Sequence, residues 1–290
     1  MQVRDVRPGE AVLITPEGEM ISRQTCEGEL CPCIFEYIYL ARPDSVMNDI
    51  SVYEFQLNLG RRLAKRIAAM GWDIDTVVPV PDGSRPSAIE IASALSLPYR
   101  EGLVKNRYVG RTFIMPSQHM REISVRRKLN AMRSVFAGKK VLLVDDSIVR
   151  GTTMSQIVAM CRAAGAHKVY LASASPPVKF PNFYGVDMPS RKEFVANGLT
   201  NEEVCRVLGA DGLVYQTVDD LLESGYEMNP AIKRFDAACF DGHYVGGDID
   251  AAFIERAEAS GRGKDRTLAA AAVAPKASPE AMTAAASAAL

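Results

Sequence analysis

Apolar positions along the chain follow two rhythms. Over residues 54–70, Phe55, Leu59, Leu63, Ile67 and Met70 recur every three or four positions with Arg61, Arg62, Lys65 and Arg66 between them, which predicts an amphipathic helix ending near Gly71. Thr76-Val77-Val78-Pro79-Val80-Pro81 is a β-branched run instead. It predicts a strand, followed by the polar loop Asp82-Gly83-Ser84 and a second periodic segment over residues 89–97. Residues 139–146 begin the same succession again, with an apolar strand, a polar loop and a helix on which Met154, Ile157, Val158 and Cys161 share one face. A third strand is expected over residues 169–174, a short helix over 202–208 and a fourth strand over 212–215. Strand and helix alternating at this spacing imply an α/β fold, a mostly parallel sheet flanked by helices. The first 40 residues read differently: Ala11-Val12-Leu13-Ile14 is closed by the turn composition Pro16-Glu17-Gly18-Glu19, and a small β-rich piece is expected there.

Three stretches have no steady period. Residues 105–130 are rich in Lys and Arg, and so long a loop inside a compact domain is usually functional or disordered. A solvated basic hairpin is the plainer reading of the same residues. Residues 176–189 are Pro-rich, and the last 25 residues, from Arg266, are about half alanine, a composition expected to form a disordered or weakly helical tail.

Composition narrows the function classes. The 290 residues hold 34 Lys and Arg against 35 Asp and Glu, a net charge of −1, which argues against a broad nucleic-acid footprint and leaves room for a local basic site. Six scattered cysteines are too few for a disulfide scaffold and suggest a reducing, cytoplasmic setting. No stretch approaches the roughly 18 to 20 apolar residues of a membrane span, and the first residues lack the apolar core of a signal peptide.

The most informative segment is Val141-Leu142-Leu143-Val144-Asp145-Asp146-Ser147-Ile148-Val149-Arg150-Gly151-Thr152-Thr153. An apolar strand delivers two carboxylates to its C-terminal end, where open parallel sheets bind ligands. The loop behind them can aim backbone N–H groups, hydroxyls and a helix N-terminus at one anion. The carboxylates cannot favour that anion directly, so they meet hydroxyls or a magnesium ion beside it. Read alone, the Asp-Asp pair is equally an acidic helix cap; Ser84 alone is an N-cap.

The thirteen-residue pattern resembles the phosphoribosyl pyrophosphate motif of type I phosphoribosyltransferases. Lys105-Asn106-Arg107-Tyr108-Val109-Gly110-Arg111-Thr112-Phe113-Ile114, Arg126-Arg127-Lys128-Leu129-Asn130, the segment from Glu36 through Ser45, Val78-Pro79-Val80-Pro81 and Tyr184-Gly185-Val186-Asp187-Met188-Pro189 narrow the resemblance to the amidophosphoribosyltransferase family over about residues 4–246. The resemblance implies a glycosyltransferase of purine biosynthesis in which glutamine-derived ammonia displaces pyrophosphate from phosphoribosyl pyrophosphate, giving 5-phosphoribosylamine. It implies magnesium held by Ser84, Asp145 and Asp146, one per subunit, and the 5′-phosphate in the loop from Ser147 through Ile148, Val149, Arg150, Gly151 and Thr152 to Thr153. Lys105 and Arg107 are the candidate cationic clamp on the leaving pyrophosphate, with Tyr108 and Arg111 also on the substrate. The basic stretch resembles the family's closing loop, and closure would keep an activated sugar from water. Homo-oligomers and feedback inhibition by purine nucleotides are further implications.

The resemblance also sets the expected organisation: residues 1–40 as the last strands of a glutaminase half, 41–250 as the phosphoribosyltransferase domain, and 251–290 as a C-terminal helix and alanine-rich tail. No position matches the glutaminase's N-terminal cysteine, so the chain is expected either to be a fragment or to carry a misassigned start, or to work with ammonia or a separate glutaminase subunit. Some family members carry an iron–sulfur cluster on four cysteines. Only Cys33 matches that set, Asn182, Lys233 and Asp236 standing at the other places, so no cluster is expected. Cys31-Pro32-Cys33 is too tightly spaced for a usual pair of zinc ligands. His119, His167 and His243 are isolated and given no role. A non-catalytic regulator that senses phosphoribosyl pyrophosphate is the alternative of a different class, since fold alone does not separate the two; a base-salvage transferase is a third.

Overall fold

The computed structural model describes residues 4–106, 129–186, 188, 190–246 and 249–259. Arg107, Tyr108, Arg111 and His119, with the rest of residues 107–128 of the basic stretch, and the alanine-rich tail lie outside the described residues. A hairpin of β1 (Glu10–Ile14) and β2 (Met20–Gln24) comes first, paired antiparallel with Leu13 opposite Ile21 and Ile14 opposite Met20. These four side chains are all exposed.

The sequence reading of a β-rich start is corrected at residues Glu36–Leu40, which form a π-helical turn. The physical reason is burial rather than local preference. Phe35, Tyr37 and Ile38 are buried beside Phe55, Phe235 and Phe240, and aromatic edge and tilted contacts to those rings fix the turn. The short pair β3 (Val46–Met47) and β4 (Ile50–Ser51) leads into α1 (Val52–Ala69), which Ser51 caps by accepting the Glu54 N–H.

Next come β5 (Thr76–Pro79) and α2 (Arg85–Ala94), then β6 (Leu103–Lys105) and its antiparallel partner β7 (Leu129–Ala131). A short helix, α3 (Arg133–Phe136), precedes β8 (Lys140–Asp145), α4 (Thr152–Ala163) and β9 (Lys168–Ser173). The 3₁₀ turn Arg191–Glu193, α5 (Asn201–Leu208), β10 (Gly212–Tyr215), α6 (Val218–Met228), α7 (Ala238–Asp241) and α8 (Ala251–Ala259) complete the order.

The central sheet runs β10-β9-β8-β5, every pairing parallel. Because side chains alternate along a strand, β8 feeds two cores. Leu142 and Val144 meet Leu63 and Ile67 of α1 and Ile91 of α2, while Val141 and Leu143 meet Met154, Ile157, Val158 and Cys161 of α4 and Leu208 of α5. Strands covered on both faces account for the unbroken apolar runs in their sequence. On the α1 side, Arg62 joins α1 to α6 through Asp220, Glu223 and Glu227 at 3.3, 2.8 and 2.6 Å.

Candidate active site at the end of the central strands

Tyr99 bridges Val77 in parallel on the edge of β5 away from β8, so the chain steps outward after β5 and then returns to its other side at β8, the kind of switch point at which open parallel sheets hold ligands. Asp145 ends β8 and Asp146 follows it. Their backbone is fixed by the neighbouring strand ends: the N–H groups of Ala174 and Ser175 donate to the Asp145 and Asp146 carbonyls, both at 2.9 Å. The Asp146 N–H donates to Asp145 Oδ1 at 3.0 Å, and the Ser147 hydroxyl donates to Asp146 Oδ1 at 3.0 Å.

Desolvation raises both carboxyls, although each keeps an edge at the surface. Asp145 is pushed well up by burial and then by the charge of Asp146; Asp146 is pushed up to about 6 by burial, with the Ser147 hydrogen bonds pulling the other way. Two desolvated acids side by side, poorly provided with internal cations, form a place that gains from a bound cation.

The loop after β5 closes over this pair through a cis peptide between Pro81 and Asp82. Gly83 approaches so closely that a Cβ there would stand 2.3 Å from Asp146 Oδ2. Ser84 is fully buried, and its hydroxyl donates to the Val80 carbonyl at 2.6 Å instead of capping α2. Its oxygen keeps acceptor capacity. The donor chemistry, two carboxylates and a hydroxyl oxygen, fits magnesium, which completes its shell with water and substrate oxygens. Among the described residues no three His, Cys, Asp or Glu gather into a metal-holding group.

Ser147 through Thr153 form the turn from β8 into α4. Ser147, Ile148 and Gly151 are buried, whereas Arg150, Thr152 and Thr153 are exposed. Gly151 takes the N-cap place of α4 with φ +72°, a left-handed conformation that suits glycine, and its missing side chain leaves the helix start without a side-chain cap. Such a start is suited to an external anion.

Lys105, at the end of β6, lies 2.6 Å from Asp82, which also pairs with Arg85 at 2.8 Å. Arg85 reaches Glu101 at 3.0 Å, and the Tyr99 hydroxyl donates to the same carboxylate at 2.6 Å. The sequence candidates Ser84, Asp145, Asp146 and the turn from Ser147 to Thr153 thus converge, with Lys105 joined to the β5–α2 loop through Asp82. Asp82 and Gly83 were not singled out as site residues; a Pro-Asp-Gly-Ser turn directly after a parallel strand was the available signal. The remaining cluster, near Cys33, has its own order: Cys33 bridges Asp236 through the backbone, and Asp236 accepts the Ala238 N–H at 3.0 Å.

A phosphoribosyl transferase domain matches residues 53–175, which span β5, β8 and the turn from Ser147 to Thr153. Amidophosphoribosyltransferase of Escherichia coli K12 is 52% identical over 257 residues, covering 87% of this chain and 51% of the relative. The chain belongs to the amidophosphoribosyltransferase family. The Saccharomyces cerevisiae amidophosphoribosyltransferase is 48% identical over 88% of the chain and 51% of its own length. Among solved structures, the glutamine phosphoribosylpyrophosphate amidotransferase of B. subtilis, complexed with ADP and GMP, matches with a TM-score of 0.72 and 44% identity over 84% of this chain and 53% of that one. This amidophosphoribosyltransferase-family chain therefore spans about half the length of the relatives it matches. No helix among the described residues is long and apolar enough to cross a membrane.

Proposed function

We propose that this chain transfers the nitrogen of ammonia to C1 of phosphoribosyl pyrophosphate, forming 5-phosphoribosylamine and releasing pyrophosphate. The observation that carries this reading is the juxtaposition, at the end of β8, of two desolvated carboxylates with a glycine-started helix and the β5–α2 loop. The names of the family relatives support catalysis over the sensing alternative.

The roles follow from charge. Backbone N–H groups from Ser147 to Thr153 and the start of α4 hold the 5′-phosphate, and the Arg150 side chain adds a cation at the loop's rim. Asp145 and Asp146 orient the ribose hydroxyls, and with Ser84 they would hold magnesium. When bound, magnesium neutralises the charge that builds on the departing pyrophosphate. Lys105, released from Asp82 to the incoming anion, adds a second positive charge on that side, and Arg107, Tyr108 and Arg111 extend the set from outside the described residues. As the C1–O bond to pyrophosphate breaks, the ammonia lone pair forms the C1–N bond and the nitrogen gives up a proton to solvent. Ammonia is neutral and nucleophilic, so no strong base is needed beside C1.

Magnesium, homo-oligomers, inhibition by purine nucleotides and ammonia derived from glutamine belong to the same proposal, the ADP and GMP complex of the B. subtilis relative supporting the nucleotide part. Six free cysteines are in keeping with a reducing cytoplasm. The test is pyrophosphate release from phosphoribosyl pyrophosphate with magnesium, comparing ammonium chloride with glutamine. Release with ammonium alone is expected. Substrate binding without release under ammonium would overturn the transferase reading, and release with glutamine as the donor would overturn the expected ammonia dependence of this chain.

A further inference from the structure

We infer that Glu258, near the end of α8, is a positioning residue for the phosphate loop and acts on it through Arg191. The inference rests on the proposal that this loop holds the 5′-phosphate. Glu258 takes three donations from one residue: the Arg191 backbone N–H and Nε–H reach Oε1 at 2.8 and 3.0 Å, and Nη2–H reaches Oε2 at 2.9 Å. A two-pronged guanidinium contact combined with a main-chain contact fixes backbone and side chain together. The Arg191 hydrogen bonds hold the carboxyl below its ordinary value, and its side chain is only 11% exposed.

From Arg191 the constraint runs straight to the loop. Glu193 Oε2 stands 2.6 Å from Arg150 Nη2. The Val195 N–H donates to the Val149 carbonyl at 2.9 Å, and the Val195 side chain fills the space where a Cβ on Gly151 would come within 2.8 Å. One short segment, 191–195, therefore touches three consecutive loop residues, Val149, Arg150 and Gly151, and Glu258 anchors its first residue. The contribution of α8 to the core is small, Ile254 being its buried residue. The fixed arrangement of the Glu258 carboxylate accordingly matters more to the geometry of segment 191–195 than to the bulk of the fold.

Two half-ligands separate the ends of the site. Ribose 5-phosphate probes the phosphate loop, and magnesium pyrophosphate probes the Ser84, Asp145 and Asp146 side. In Glu258→Gln the dissociation constant for ribose 5-phosphate is expected to rise about five- to tenfold, the loss of one charge-assisted fork, with magnesium pyrophosphate binding unchanged. The KM for phosphoribosyl pyrophosphate should rise with kcat held, and Arg191→Lys, which keeps the charge without the fork, should reproduce the split. Unchanged ribose 5-phosphate binding, or equal weakening of both half-ligands, would overturn the inference. Failure of the unmodified chain to bind either half-ligand would overturn the site reading itself, and the inference with it.

Discussion

Asp146→Asn is expected to make the metal-free protein more stable while abolishing magnesium-dependent binding of phosphoribosyl pyrophosphate. The Asp146 carboxyl is pushed up to about 6 by burial, above the ordinary carboxylate value of about 3.9. A raised folded-state value means that stability from this group is fully present below the unfolded value and is lost as pH rises through about 6. At neutral pH the ionised group is a cost, which asparagine removes while its side-chain oxygen still accepts the Ser147 hydroxyl. Discounted for the carboxylate edge that reaches solvent, the gain is about 1 to 2 kcal/mol, or about 2 to 4 °C per kcal/mol for a chain near this size. Thermal melts in EDTA at pH 7.5 and pH 4.5 check it: the variant should melt higher at the first, and its advantage should shrink to a minor part at the second, closing only below about pH 3.9. A variant that melts lower at pH 7.5, or that binds substrate with magnesium as before, would sink the account of this carboxylate.

Gly83→Ala is expected to lose activity with little loss of stability. The added methyl would lie 2.3 Å from Asp146 Oδ2 and 3.3 Å from its Cγ, with no backbone atom among its three closest neighbours. The end of a side chain can turn aside cheaply, so the fold absorbs the change. The displaced atom is the one that must meet ion or ribose, and displacement of a reacting group by about 1 Å can cost on the order of 100-fold in rate. Steady-state kinetics with ammonium should give kcat/KM lowered by about that factor with a melting temperature close to that of the parent. Activity retained would mean that Gly83 and Asp146 separate when substrate binds. A large fall in melting temperature would mean that backbone, rather than the carboxylate, gives way.

What the sequence disclosed depended on the range of each interaction. The unbroken run of β8, its turn and the buried face Met154, Ile157, Val158 and Cys161 were legible because strand and helix periods are written in neighbouring residues. The turn Glu36–Leu40 was not, since aromatic partners as distant as Phe235 decide it. β6 and β7 are three residues each, too short for a period. α6 opens on Thr217, whose hydroxyl accepts the Asp220 N–H, a start signal that its polar composition obscured. Within the site, the Asp-Asp pair and the glycine turn were readable from spacing. The approach of Gly83 to Asp146 and of Glu193 to Arg150 joins segments far apart in the chain, and no local pattern encodes either.

The two ends of the site enter the sheet by different routes. β8, α4 and β9 follow one another directly, so the turn from Ser147 to Thr153 belongs to a locally assembled unit. β5 reaches β8 only by closing a long intervening segment, as the Asp75 carboxylate accepting the Lys140 N–H across 65 residues illustrates. Closing such a loop costs chain entropy, and local openings tend to follow these seams. An opening between β5 and β8 would carry Gly83 and Ser84 away from Asp146 while leaving the loop from Ser147 to Thr153 formed. A ligand whose phosphate and pyrophosphate ends engage both sides acts as a staple across that seam, and protects the sheet from fraying in a way that neither half-ligand can.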